Sequence, residues 1–146
     1  ALKEFAKRWY LVAYCQERKA LRVYGLDRIK DLDIMDEQFK MPAGFDVDEL
    51  FATSFGTYLA EGKGEIVTFR ATAKEARFLR DLPLHESQVE LHGDADGNVT
   101  FSIFVCPNDS LIMEFCKHGN RLEVLSPQSL RSAVAEELRA AADLYK

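Results

Sequence analysis

Cysteine is scarce in this chain and badly placed for cross-linking: Cys15, Cys106 and Cys116 are odd in number and show no CxxC spacing. That argues against a disulfide framework and leaves reduced thiols acting as small apolar residues. No apolar run approaches the roughly 20 residues that a membrane-spanning helix needs. The opening Ala1-Leu2-Lys3-Glu4-Phe5 also lacks the charged-then-apolar pattern of a secretory signal. No membrane association is expected, and the cytoplasm is the expected compartment. Glycine-rich phosphate cradles are missing too, because Gly62-Lys63-Gly64 has neither the glycine spacing nor the Lys-Ser or Lys-Thr ending of such a loop. It reads as a linker.

Metal and catalytic patterns are equally thin. Cys116-x-His118 is the one close pair of soft ligands, and no further ligand stands at a zinc spacing. Asp94-Ala95-Asp96-Gly97-Asn98 imitates the opening of a calcium loop, but Ile103 occupies the position of the bidentate Glu, so a polar hairpin turn explains it better. His85 and His92 have no sequence-adjacent nucleophile or acid that would propose a triad. No catalytic residue, cofactor or metal is expected, and the chain reads as a binding protein rather than an enzyme.

What is present is apolar and aromatic material enough for packed cores, 47% and 11% of the 146 residues. The net charge of −5 hides a polarity along the chain. Residues 1–30 carry eight Lys or Arg against Glu4, Glu17 and Asp27, a local +5, which leaves −10 for the remainder. Such a basic segment attracts anions, or else keeps strand edges soluble.

Residues Lys7 to Tyr14 are mostly β-branched, aromatic or aliphatic without Gly or Pro, Gln16 to Lys19 form a polar turn, and Ala20 to Tyr24 return. A hairpin is predicted. The two-residue period puts Arg22 and Tyr24 on one face of their strand and Arg8 and Tyr10 on one face of theirs. A third strand is predicted over Lys30 to Met35, where Leu32 and Ile34 alternate with acidic residues. Arg8, Tyr10, Arg22, Tyr24 and Arg28 form the candidate ligand-binding set. A guanidinium grips phosphate oxygens two at a time, and a neighbouring ring stacks a base. Structural readings compete: Trp9 as core, Tyr10 as core with a satisfied hydroxyl, and Arg28 paired with Asp27 or capping a turn.

Further on, Asp46 caps a short helix ending at Gly56. A strand starts at Glu65, and Thr72 and Glu75 make a capping box for a helix with Ala76, Leu79 and Leu82 inward, stopped by Pro83. Val89 and Leu91, the Asp96-Gly97 turn, then Val99, Phe101, Ile103 and Val105 make a second hairpin. A helix capped by Asn108 runs to Gly119, Leu122 and Val124 mark a last strand, and Ser126-Pro127 opens a final helix toward Tyr145. The order βαββαβ is that of the ferredoxin-like fold. An acylphosphatase-like activity is disfavoured, since Thr72-Ala73-Lys74-Glu75 has no glycine-rich anion cradle.

Arg8-Trp9-Tyr10-Leu11 followed by Arg22-Val23-Tyr24-Gly25-Leu26-Asp27-Arg28-Ile29 resembles the WYL domain, the sensing module of many bacterial helix-turn-helix transcription regulators. Glu65 to Tyr145, including Leu82-Pro83-Leu84-His85, resembles the C-terminal extension domain that usually follows it, WCX. The resemblance implies an α+β chain: a partial SH3-like or Sm-like β-barrel over 1–45 that lacks its opening strands, a helix and linker over 46–63, and a ferredoxin-like βαββαβ unit with a C-terminal helix over 64–146. It shifts Arg22 and Arg28 toward function, while Gly25 stands where relatives often carry a larger polar residue. Lacking those strands, the Lys7 to Tyr14 edge is expected to be covered by another copy or a neighbour.

The function so implied is the effector-sensing, dimerising portion of a regulator. Its ligand would be anionic, single-stranded nucleic acid or a nucleotide, and promoter DNA would be reached through an absent helix-turn-helix domain. The alternatives are an accessory nucleic-acid-binding module of a helicase or nuclease, and a ligand-free oligomerisation domain.

Overall fold

The computed structural model describes every residue except Ala6 and Glu61. It is a mixed α+β chain with two antiparallel sheets and four α-helices, and neither sheet closes into a barrel.

The first sheet has three strands, β1 (Leu2–Phe5), β2 (Arg8–Cys15) and β3 (Ala20–Gly25), in the order β1-β2-β3. Its hairpin matches the sequence pattern, but the third strand is not the expected one. Lys30 to Met35 is irregular and open to solvent, with Ile34 99% exposed. β1 takes the place beside β2 instead, pairing Leu2 with Leu11 and Phe5 with Arg8. The Val12 amide adds a bond to the Ala1 carbonyl at 2.8 Å. The β2 edge expected to need a second copy is therefore covered by the chain's own first residues.

A linker segment follows, with α1 (Val47–Phe51) capped by Asp46, whose Oδ1 accepts the Asp48 amide at 2.8 Å. The helix stops well before Gly56, which serves a later turn at φ +83° where an added Cβ would sit 3.1 Å from Ser110 Oγ. This segment is tied to the second unit. The Cys106 amide donates to the Thr53 carbonyl at 2.7 Å and Asn108 Nδ2 to the Phe55 carbonyl at 2.8 Å.

The second unit runs β4 (Glu65–Ala71), α2 (Ala73–Asp81), β5 (Val89–Gly93), β6 (Val99–Val105), α3 (Asp109–His118), β7 (Leu122–Ser126) and α4 (Gln128–Asp143). Its sheet order is β5-β6-β4-β7, every neighbour antiparallel. Alternation fixes its core: Val67, Phe69 and Ala71 of β4 and Val99, Phe101, Ile103 and Val105 of β6 all point under the helices. Ala76 and Leu79 of α2, Leu111 and Phe115 of α3, and Leu130 and Val134 of α4 close over them. Phe69 is central, stacked on Phe101 at 5.8 Å and edge-on to Phe115 at 5.4 Å between ring centroids.

Three local expectations fail here for tertiary reasons. Leu82 lies past the end of α2 and is 79% exposed rather than core. The capping box is half made: Thr72 Oγ1 accepts the Glu75 amide, but the Thr72 amide goes to the Arg121 carbonyl. Glu75 turns inward instead, to His118 Nδ1 at 2.9 Å and Arg121 at 3.5 Å. Ser126 does not cap α4, because its hydroxyl is shared with Thr68 Oγ1 at 2.7 Å and the helix begins at Gln128.

Candidate functional site

The register of the first sheet decides which predicted residues can meet. Residues directly opposed in an antiparallel pair point to the same face. Arg22 opposes Ala13 and Tyr24 opposes Leu11, so both share a face with Trp9, Leu11, Ala13 and Cys15. Tyr10 opposes Gly25 and Lys3, and Arg8 opposes Phe5, which puts Arg8 and Tyr10 on the opposite face with Val12. Val12 is 3% exposed, which marks that face as the inner one.

Arg28 belongs with the inner face. It lies in a short helical turn, Leu26–Arg28, and its Cγ and Cδ come 3.8 Å from where a Cβ on Gly25 would stand. The five-residue set is thus split in two, with Arg22 and Tyr24 outward and Arg8, Tyr10 and Arg28 on or beside the inner face. A single surface carrying both Arg22 and Arg28 is not formed. Arg28 makes no ion pair with Asp27, and neither Arg8 nor Arg22 is paired among the described residues.

Trp9 is the residue that sequence reasoning misplaced. It is 51% exposed and stands on the outward face beside Leu11, diagonal to Tyr24. An apolar strand context favours burial for a lone Trp, and the register that turns it outward is not written in its neighbours. Its even spacing from Leu11 and Ala13, which puts all three on one face of the strand, was the available signal. The outward face therefore presents an indole, a phenol ring and an unpaired guanidinium on one rigid sheet. Tyr10 remains half-buried.

Cys15 shares that outward face. Its thiol is held below the usual range mainly by a hydrogen bond with the Tyr24 hydroxyl, which is itself pushed up by the same contact. Burial pushes Cys116 the other way. In an iodoacetamide titration, Cys15 is expected to alkylate at lower pH than Cys116, and Tyr24→Phe should move the Cys15 profile upward toward that of an ordinary thiol. An unmoved profile in Tyr24→Phe would show that the phenol does not tune it.

Elsewhere the polar clusters are occupied structurally. Asp94 Oδ1 accepts the Asp96 and Asn98 amides at 3.0 and 2.9 Å, so this carboxylate closes its own hairpin turn. His118 lies between Glu75 and Glu114, with its Nε2 3.2 Å from Glu114. No group of three or more His, Cys, Asp or Glu placed to hold a metal occurs among the described residues. No helix among them is long and apolar enough to cross a membrane.

Residues 64–142 match the family model of the WCX domain, and residues 1–34 match that of the WYL domain. No curated protein matches the chain. Among solved structures it is similar to proteasome accessory factor B/C (PafBC) of Arthrobacter aurescens, at 24% identity and a TM-score of 0.46. That alignment covers 100% of this chain and 22% of the other, so this chain spans under a quarter of that protein's length.

Proposed function

Because the chain belongs to the WCX family, with a WYL segment ahead of its WCX domain, we propose that it is the sensing portion of a transcription regulator and binds single-stranded nucleic acid on the outward face of its first sheet. The observation that carries this reading is the shared face of Trp9, Tyr24 and unpaired Arg22. Two rings on a rigid sheet offer stacking partners to any base, and the guanidinium offers two parallel donors to a phosphate. The basic balance of residues 1–30 raises the local concentration of an anionic strand despite the acidic remainder.

In this reading the chain is a binding module and not an enzyme. The βαββαβ second unit is a ferredoxin-like arm, and the first sheet is the remnant of an SH3-like or Sm-like barrel. Two copies associate, and the nucleic acid favours one arrangement of subunits over another, which moves DNA-binding heads carried elsewhere in the parent protein. The cytoplasm is the compartment this function needs.

A fluorescent single-stranded oligonucleotide titrated at several salt concentrations tests the proposal. Binding should weaken steadily with salt, because each phosphate contact releases a counterion. Arg22→Ala should weaken it by roughly 10-fold, as expected for a lost charged hydrogen bond, whereas Arg28→Ala should change it little. Equal losses from both variants would contradict the assignment to one face, and binding indifferent to salt would contradict the ligand class.

A further inference from the structure

We infer that the groove between the first sheet and the second unit is a binding site for a small organic cation, a site that the ammonium group of Lys3 fills in the unliganded chain. The groove encloses about 620 Å³ and is walled by Phe5 of β1, Phe51 and Phe55 of the linker segment, and Phe78 of α2. That volume lies within the range of small-molecule sites. It is walled by four rings where a polar interdomain cleft would present amides and hydroxyls.

Its charge is of one sign in excess. Asp48, Glu75, Glu86 and Glu114 line it against Lys3 and Lys117; Glu114 is paired with Lys117 at 2.9 Å and Glu75 with His118 and Arg121, which leaves Asp48 and Glu86 facing Lys3. His85, also in the wall, has its basicity lowered chiefly by burial, which favours its neutral form. Rings with a negative face together with surplus carboxylates attract a cation and repel an anion.

The second observation is the occupant. Lys3 Nζ lies 4.0 Å from the centroid of the Phe51 ring, the geometry of a cation held by an aromatic face. Phe51 is itself buried, which fixes the ring as a platform. Lys3 reaches it from β1, a strand whose own register pairs Lys3 with Tyr10 of β2. A ligand ammonium of matching size would compete with Lys3 for the same ring, and displacing Lys3 would loosen the contact between the first sheet and α1. Alkylammonium and quaternary ammonium compounds carrying an apolar group fit this combination, with the charge on the Phe51 face and the apolar part along Phe5 and Phe78.

The test uses benzyltrimethylammonium as the probe, with benzoate and benzyl alcohol as the anionic and neutral counterparts, followed by chemical shifts of the whole chain. The cation alone should give saturable shifts at residues of the groove. Lys3→Met keeps the aliphatic stem, removes the competing charge, and should tighten binding by about tenfold. Phe78→Ser, at an exposed ring, and Asp48→Asn should each weaken it, and neither touches the buried core. Phe51→Leu should abolish it, and the dispersion of the spectrum shows whether that variant folds. The inference is overturned if the cation fails to bind both the parent chain and Lys3→Met, if benzoate or benzyl alcohol binds as well as the cation, or if Lys3→Met leaves the affinity unchanged.

Discussion

Phe69→Ala is expected to cost the second unit about 3–5 kcal/mol, the usual range for removing a fully buried aromatic ring. Phe69 has no exposed surface, and its ring is held on two sides, by Phe101 in the adjacent strand and by Phe115 from α3. No neighbour can collapse into the void cheaply, since Val67 and Ala71 on the same strand and Val124 opposite are already packed under the helices. The measurement is urea denaturation followed by far-ultraviolet circular dichroism. Tryptophan fluorescence would miss the event, because the single Trp of the chain lies at position 9 in the first sheet. A loss below about 1 kcal/mol would mean that the helices repack over the sheet without this ring.

The largest functional effect is expected from Trp9→Ala combined with Arg22→Ala. Stacking of one base on an aromatic side chain contributes about 1–3 kcal/mol, and a charge-assisted hydrogen bond about 1.5–3 kcal/mol. If the two add, affinity for a single-stranded oligonucleotide falls by roughly 100-fold or more. The salt dependence of log affinity should also become shallower by about one, the mark of one lost phosphate contact. As the only Trp, Trp9 supplies its own readout, since a base stacked on the indole quenches its emission. Both positions lie outside the buried core, so the melting curve of the double variant should nearly superimpose on the parent. An oligonucleotide that binds without quenching Trp9, and equally well to the double variant, would place the ligand elsewhere.

Given the structural contacts, the two units are expected to respond separately to these changes. Phe69 belongs to the core formed by β4, β6, β7 and α2 to α4, which Phe55 of the linker segment joins and to which no residue of the first sheet contributes. Trp9 and Arg22 belong to a sheet whose hydrogen-bonded partners are all within residues 1–25. The link between them runs through the segment around α1, where Lys3 meets Phe51 and where Thr53 and Phe55 bond to Cys106 and Asn108.

The amino-acid sequence by itself determined the second unit almost element by element. Val99, Phe101, Ile103 and Val105 alternate and are buried, Asn108 and Thr72 cap the helices they precede, and Asp94 to Asn98 form a hairpin turn. These features are governed by interactions between residues a few positions apart, so the local pattern carries them. The family was equally legible, from residues 8–11 and 22–29 in the first unit and from residues 65–145 in the second.

Only the tertiary structure decided the composition of the candidate site. Period two says which residues of one strand share a face, but not which face of the next strand they join. Pairing Ala13 with Arg22 rather than with a residue one position away puts Arg22 on the same face as Trp9 and separates it from Arg8, Tyr10 and Arg28. A one-residue slip would have reversed every one of those assignments. The same holds for Lys30 to Met35, whose alternating pattern suits a strand but which finds no partner, while Leu2 to Phe5 takes the free edge. Strand pairing is a bond between distant segments, and its register depends on the turn and the competing partners rather than on the sequence of either strand alone.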